Sequence, residues 1–394
     1  MKMKKVKLFN CIFLVFLVFG FLISGMFSAK INMLSAENLA NFNETETSCY
    51  AKSMVVIEAD SGRILYQKNC NERLAMASTT KIMTALVAVK SGLDFDEVFK
   101  VDPSCIGVEG TSLYLRKNEE KSLRELLYGL MLPSGNDAAV AIACRVAGSE
   151  EEFVKLMNKE AQNLGLENTS FANPHGLDEK NHYTSAYDLA IITAEAMKND
   201  LFREIVSTKN ICISGNEEVE AKQLKNKNKL LWKMEGCEGV KTGFTDNAKR
   251  CFVSSTKRDN MRVICVVLNC GPMFEEAERL TNLAFENYKN YNLLGSYSPS
   301  NNVCVKKGVK DSVETYSIRH FSYPLTLKEY ENVECKIELP TIIEAPVEKE
   351  QKLGKIKFYL GEKLLFEESI YATEEIKSTK FFEKIEQIVD YWNM

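Results

Sequence analysis

Three histidines in 394 residues, no Cys-x-x-Cys pair, no excess of positive charge and no evident repeat are what this chain has little of or none of. Each lack removes a class of function. His175 and His182 stand seven residues apart, with Pro174 and Gly176 beside the first and no third donor in a matching pattern, which fits no common zinc spacing. Both are read as hydrogen-bonded structural histidines, and His320 carries no signal. Cys265 and Cys270 are too far apart for a zinc knuckle, so no metal and no cofactor are expected. The formal net charge of −4 argues against nucleic acid as a partner.

What is present begins with the first forty residues. Lys2, Lys4, Lys5 and Lys7 precede an apolar run from Ile12 to Ile23, followed by small residues at Ser28-Ala29 and Ser35-Ala36. This is the layout of a secretory signal peptide over 1–36, cleaved near 29 or 36. An uncleaved anchor is the alternative, because the run reaches about 17 residues when extended to Phe27, close to the lower limit for a span. Either way the remainder is expected to be exported. Cys11 precedes the apolar core, which does not suit a lipoprotein attachment site. Removing residues 1–29 takes away four lysines and no acid, so the exported chain is more acidic still.

Twelve cysteines are many for an exported protein, and losing Cys11 leaves an odd number that cannot all pair. Most are read as buried small hydrophobes. Free thiols survive only where the surroundings stay reducing, and such surroundings are expected here.

Met54–Ile57 and Ile64–Tyr66 flank Asp60-Ser61-Gly62-Arg63 and predict a hairpin. From Thr79 the pattern turns helical, with Ile82, Met83, Leu86 and Val89 at three- and four-residue steps and Gly92 at the stop. Residues 121–165 read as a helical block broken at Pro133-Ser134-Gly135-Asn136. Strands are predicted at 239–245, 250–257 and 261–268. Strands, then helices, then strands imply one sheet built from both ends of a domain over 45–287 and covered by helices, an α/β arrangement of the α+β type. A break at Tyr288–Asn302 reads as a linker. Alternating stretches then predict a small all-β domain over 300–372. Residues 374–394 read as an amphipathic helix with Phe381, Phe382, Ile385, Ile388, Val389 and Trp392 on one face.

Three short motifs carry chemistry. Ser78 and Lys81 lie three apart, so a helix that starts at Ser78 puts both on one face, where the amine can take the hydroxyl proton. That requires a neutral lysine, and moving any lysine from about 10.4 to near 7 costs about 4–5 kcal/mol. A desolvated pocket and a neighbouring cation can supply the shift. Alone, the pair is equally a capped helix start followed by a solvated charge. Ser134-Gly135-Asn136 places a hydroxyl and an amide on a tight loop. Lys241-Thr242-Gly243 sets a glycine inside a strand, where a ligand often approaches the backbone. Each of these two alone could be a mere turn or an edge bulge. The three in this order form the set shared by β-lactamases and penicillin-binding proteins.

With those motifs the sequence resembles the D-alanyl-D-alanine carboxypeptidases of the penicillin-binding protein 5 type. Leu126 to Ala139, Asn173-Pro174-His175-Gly176-Leu177-Asp178 and Gly239 to Thr245 are similar to that family's signatures. The resemblance implies a β-lactamase/transpeptidase-like domain with an antiparallel sheet flanked by helices, then a small β domain and a surface helix. It implies a cell-wall enzyme acting on peptidoglycan stem peptides that end in D-Ala-D-Ala, in the wall or on the outer face of the cytoplasmic membrane, and inhibited by β-lactam antibiotics.

Ser78 would be the nucleophile, Lys81 the proton acceptor and Ser134 a proton relay to the leaving D-alanine. Asn136 would hold Lys81 and the substrate amide. Lys241 would depress the Lys81 amine through its charge and, with Thr242, attract the terminal carboxylate. Gly243 belongs to the same substrate-binding strand, and the backbone N–H groups of Ser78 and Phe244 would form the oxyanion hole. A membrane surface, met through 376–392, is the remaining partner that the resemblance implies.

Two departures stand out. Where some members carry an arginine that helps bind the substrate carboxylate, this chain reads Met273-Phe274-Glu275-Glu276. The terminal helix carries Glu374, Glu375, Glu383, Glu386 and Asp390 against Lys377, Lys380 and Lys384, so lipid binding would rest on its apolar stripe, and packing on its own domain or a partner is the alternative. Two other functional readings share the fold. A β-lactamase needs a loop glutamate to activate its deacylating water, and no Glu-x-x-x-Asn typical of that loop is expected between Glu150 and Asp200, while the extra β domain disfavours this reading too. A non-catalytic wall-binding protein would have no reason to keep all three motifs.

Overall fold

A computed structural model describes residues 49–215, 220–295, 298–299 and 302–392. The expected leader over 1–36 lies outside them. Five strands, β1 (Ser53–Glu58), β2 (Ile64–Lys68), β3 (Cys237–Thr245), β4 (Lys249–Arg258) and β5 (Met261–Leu268), form one antiparallel sheet in the order β2-β1-β5-β4-β3. The sheet is thus built from both ends of the segment, as the strand spacing implies, and β3 is an edge.

Every residue of β1 is buried because both faces are covered. Val55 and Ile57 pack with Val253, Ile264 and Val266 against the helices of one layer. Met54 and Val56 pack with Val263, Cys265 and Val267 against Ala277, Leu280 and Ala284 of the opposite layer. Successive side chains of a strand point to opposite faces, so one continuous apolar run feeds two cores.

The inner layer contains α1 (Lys81–Val89), α2 (Leu123–Met131), α3 (Asn136–Ala147), α4 (Glu150–Asn163), α5 (Ala186–Ala196) and α6 (Asp200–Ser207). The short α7 (Leu230–Lys233) precedes β3, and α8 (Met273–Asn287) covers the other face. All nine residues of α1 are buried, because α2, α3, α4 and α5 pack around it. A helix that is apolar on all sides belongs in a core. Ile82, Met83 and Leu86 are each at most 1% exposed and contribute about 1.5–3 kcal/mol apiece. That packing offsets the cost of carrying Lys81 into the interior.

The stretch read as a linker is largely a strand. Lys289–Leu294 follows α8 directly and pairs with Phe321–Leu325, Tyr291 lying opposite Tyr323. Its Asn and Tyr residues imitate a turn in composition, but tyrosine also suits a half-buried pleated surface. The Tyr291 ring stacks on Tyr330 at 4.0 Å. Arg63, from the β1–β2 turn, anchors this region: it donates to the Pro324 carbonyl, pairs with Glu329 and lies 5.3 Å from the ring centres of Tyr288 and Tyr323. Farther on, a five-stranded sheet is ordered Ser298–Pro299, Thr315–Ser317, Lys363–Ala372, Lys352–Leu360, Val333–Glu338.

The terminal helix runs over Thr379–Trp392, and Ile385, Ile388, Val389 and Trp392 are exposed. The eleven described cysteines are free: five are buried, three half-buried and three exposed, so burial accounts for fewer than the sequence suggests. No helix among the described residues is long and apolar enough to cross a membrane.

Candidate active site

A 3-10 turn at Ala77–Thr80 leads into α1 and puts Ser78 one helical step above Lys81. Ala77 has φ 49°, a left-handed conformation that a β carbon disfavours, so the surroundings must hold it. The Thr79 hydroxyl donates to the Met76 carbonyl at 2.6 Å and the Thr80 hydroxyl to the Ala77 carbonyl at 2.8 Å. Behind them, His182 Nδ1 accepts from the Ala172 N–H at 3.0 Å. That assigns the ring proton to Nε2, which donates to Thr80 Oγ1 at 2.7 Å. Burial, reinforced by His175 and Lys81, pushes His182 down to about 4, so it is a neutral structural group, as read from the sequence.

The Asn173–Asp178 loop closes this turn from the side. A β carbon on Gly176, at φ +94°, would lie 2.0 Å from the Ala77 carbonyl oxygen, so only glycine fits. Thr84 bonds the Pro174 carbonyl at 2.6 Å, and Thr245 at the end of β3 bonds Asp178 at 3.0 Å.

Lys81 Nζ meets Ser78 Oγ at 3.1 Å, Asn136 Oδ1 at 2.7 Å and the His175 carbonyl at 2.5 Å. Both carbonyl oxygens can only accept, so they take the two N–H groups of a neutral amine and leave its lone pair facing the Ser78 hydroxyl. Burial holds Lys81 well below the usual lysine range, and the charges of Lys241 and Lys227 add to the shift against the opposing pull of Asp137. Desolvation is therefore the larger cause, and the Lys241 charge expected from the sequence is the second.

Asn136 is fixed by its Nδ2, which donates to the Glu109 carbonyl at 2.6 Å. A β carbon on Gly110 would lie 2.7 Å from that nitrogen. Next to it the buried Asp137 carboxylate accepts from Ser112 Oγ and from the backbone N–H groups of Leu113 and Leu115, which ties the 109–115 segment to the start of α3. Ser134 has φ 76°, and its buried hydroxyl has no hydrogen-bond partner among the described residues, although it lines the cleft.

On the opposite wall, edge strand β3 runs against the nucleophile turn. A β carbon on Gly243 would lie 3.0 Å from the Ser78 nitrogen and 3.1 Å from Met76 O. Thr242, Gly243 and Phe244 border a cleft of about 440 Å³ together with Ser78 and Ser134. Lys241 lies beneath that wall at 1% exposure, its amine 2.9 Å from the Thr242 carbonyl, and burial with the Lys227 charge pushes it down to about 7.

Ser78, Ser134, Thr242, Gly243 and Phe244 therefore line one cleft, Lys81 and Asn136 join it from the buried side through Ser78, and Lys241 is buried and does not line it. Sequence reasoning missed Thr111, Lys227 and Arg250, which line it too, and the His175 carbonyl that receives a Lys81 proton. No spacing signals a backbone carbonyl, and Arg250 arrives only because the β3–β4 register sets it opposite Phe244. A Glu-x-x-x-Asn spacing does occur, at Glu195 and Asn199. Glu195 bonds Lys90 and Lys198 outside the cleft, while Asn199 caps α6, so the pair is not placed to activate a deacylating water.

A protein-family model described as D-alanyl-D-alanine carboxypeptidase matches residues 40–271, and one described as the C-terminal domain of penicillin-binding protein 5 matches residues 288–378. The chain is similar to the D-alanyl-D-alanine carboxypeptidase DacF of Bacillus subtilis, 37% identical over 88% of this chain and 91% of that protein. It is 32% identical to DacA of Haemophilus influenzae over 89% of this chain and 91% of that one. The crystal structure of penicillin-binding protein 5 from Haemophilus influenzae superposes with a TM-score of 0.71 at 30% identity, covering 85% of this chain and 99% of that one.

Proposed function

We propose a catalytic cycle from one premise: the chain belongs to the D-alanyl-D-alanine carboxypeptidase family. It is a serine peptidase that removes the terminal D-alanine from peptidoglycan stem pentapeptides through an acyl-enzyme, and β-lactams acylate it. The observation that carries the assignment of roles is the Lys81 amine, held by two carbonyls with its third direction facing Ser78.

Ser78 Oγ passes its proton to Lys81 Nζ and attacks the carbonyl between the two D-alanines. The resulting oxyanion sits between the N–H groups of Ser78 and Phe244, whose strand is held against the turn by the absence of a side chain at Gly243. One such donor supplies about 2.7–4 kcal/mol to the transition state. The unpartnered Ser134 hydroxyl relays the proton from Lys81 to the leaving D-alanine nitrogen, and the C–N bond breaks. Asn136 keeps Lys81 aimed and, in this cycle, meets the substrate amide. Lys81, neutral again, takes a proton from water, whose oxygen attacks the acyl carbon; as the acyl C–O bond breaks, Lys81 returns that proton to Ser78 Oγ and the shortened peptide is freed. Benzylpenicillin with a fluorescent label tests this: the adduct should map to the peptide containing Ser78 and vanish in Ser78→Ala. An adduct that persists in the variant contradicts the assignment.

The enzyme works outside the cytoplasm, exported by the 1–36 leader. Its terminal helix meets the membrane surface through exposed Ile388, Val389, Tyr391 and Trp392. Co-sedimentation of the chain with lipid vesicles should fall when residues 379–394 are deleted, and undiminished binding would remove the helix from that role.

A further inference from the structure

The carboxypeptidase reading leaves open what holds the substrate's free end, and the following inference rests on that reading. A carboxypeptidase must distinguish a terminal carboxylate from a peptide chain that continues. Lys241 is poorly placed to do this alone. Its amine is buried and already donates to the Thr242 carbonyl. With its pKa near 7 it is also only partly charged at neutral pH in the free enzyme.

Arg250 differs on each count. It lies on β4 directly opposite Phe244 and lines the same cleft as Ser78 and Thr242. Its backbone carbonyl is fixed by the Cys270 N–H at 2.9 Å. Its guanidinium makes one long bond, Nη1 to the Gly271 carbonyl at 3.4 Å, and among the described residues no carboxylate is recorded as its partner. Met273 and Phe274 line the cleft as well, and the stretch Met273-Phe274-Glu275-Glu276 offers no cation there. A planar guanidinium keeps its charge throughout the working pH range, and its fork fits a carboxylate in two parallel bonds.

We propose that Arg250 is the specificity residue that binds the terminal carboxylate of the stem peptide, with the Thr242 hydroxyl beside it. The strand register thus brings a cation to the cleft from β4.

The test compares wild type, Arg250→Ala and Arg250→Lys on diacetyl-L-lysyl-D-alanyl-D-alanine and on the same peptide with a terminal carboxamide. Wild type should favour the free acid. In Arg250→Ala the ratio of the two kcat/KM values should fall about 10- to 100-fold, the scale of a charged hydrogen bond, chiefly through KM for the acid, and Arg250→Lys should recover part of it. An unchanged ratio overturns the proposal, including the case in which both substrates suffer equally, as they would if Arg250 only supported the fold. Absence of any acid preference in wild type overturns it too. Wild type that cleaves neither peptide overturns the carboxypeptidase reading itself, and this inference with it.

Discussion

Gly243→Ala isolates what the closeness of β3 to the nucleophile is worth. Gly243 does not have positive φ, so alanine brings no backbone strain and the whole effect comes from the added methyl. That methyl would lie 3.0 Å from Ser78 N, 3.1 Å from Ala77 Cβ and 3.1 Å from Met76 O, each short of ordinary contact by 0.3–0.4 Å. Two of the three atoms are backbone and cannot swing aside. As an edge strand, β3 must move away from the turn, carrying the Phe244 N–H with it.

Overpacking of this kind costs about 1–3 kcal/mol of stability. Loss of an oxyanion donor costs 10²–10³ in rate, and a partial displacement about 10- to 100-fold. Stopped-flow acylation by labelled penicillin, read beside a thermal melt, separates the two effects. The expected result is a folded protein melting a few degrees lower, with acylation slowed 10- to 100-fold. Acylation within threefold of wild type would refute the claim that the β3 backbone stabilises the transition state.

Three further outcomes are expected. Lys81→Arg should lose more than about 10³-fold in acylation although it keeps a long basic side chain, because a guanidinium stays protonated and cannot act as a base; wild-type rates would remove Lys81 from that role. Lys241 is held near 7 in the folded state and returns toward 10.5 on unfolding, so between pH 7 and 8.5 the unfolded chain binds more protons and stability should rise with pH; the urea midpoint should climb over that window, and less steeply in Lys241→Met. Arg63→Ala should open the strand pair of Lys289–Leu294 and Phe321–Leu325 to limited proteolysis at native conditions while acylation stays near wild type, and unchanged protection would show that Arg63 does not anchor that region.

The sequence made the catalytic pieces legible because they are local: Ser78 and Lys81 are joined by one helical step, and Ser134 and Asn136 by one tight loop. The sheet was legible too, since β1 and β5 are long apolar runs. What stayed hidden depends on register or on backbone. Arg250 enters the cleft through strand pairing, the His175 carbonyl has no side-chain signature, and Lys227 stands fourteen positions ahead of Lys241 in a segment without motif. The order of causes at Lys81 was hidden for a related reason. A sequence names neighbouring charges, but only packing tells how completely α1 is enclosed.

The central claim is met most directly by incubating the purified enzyme with a defined stem pentapeptide ending in D-Ala-D-Ala and identifying the products by mass. The account predicts free D-alanine and the tetrapeptide in equal amounts, both absent with Ser78→Ala. An intact pentapeptide after exposure to folded, penicillin-reactive enzyme would contradict it.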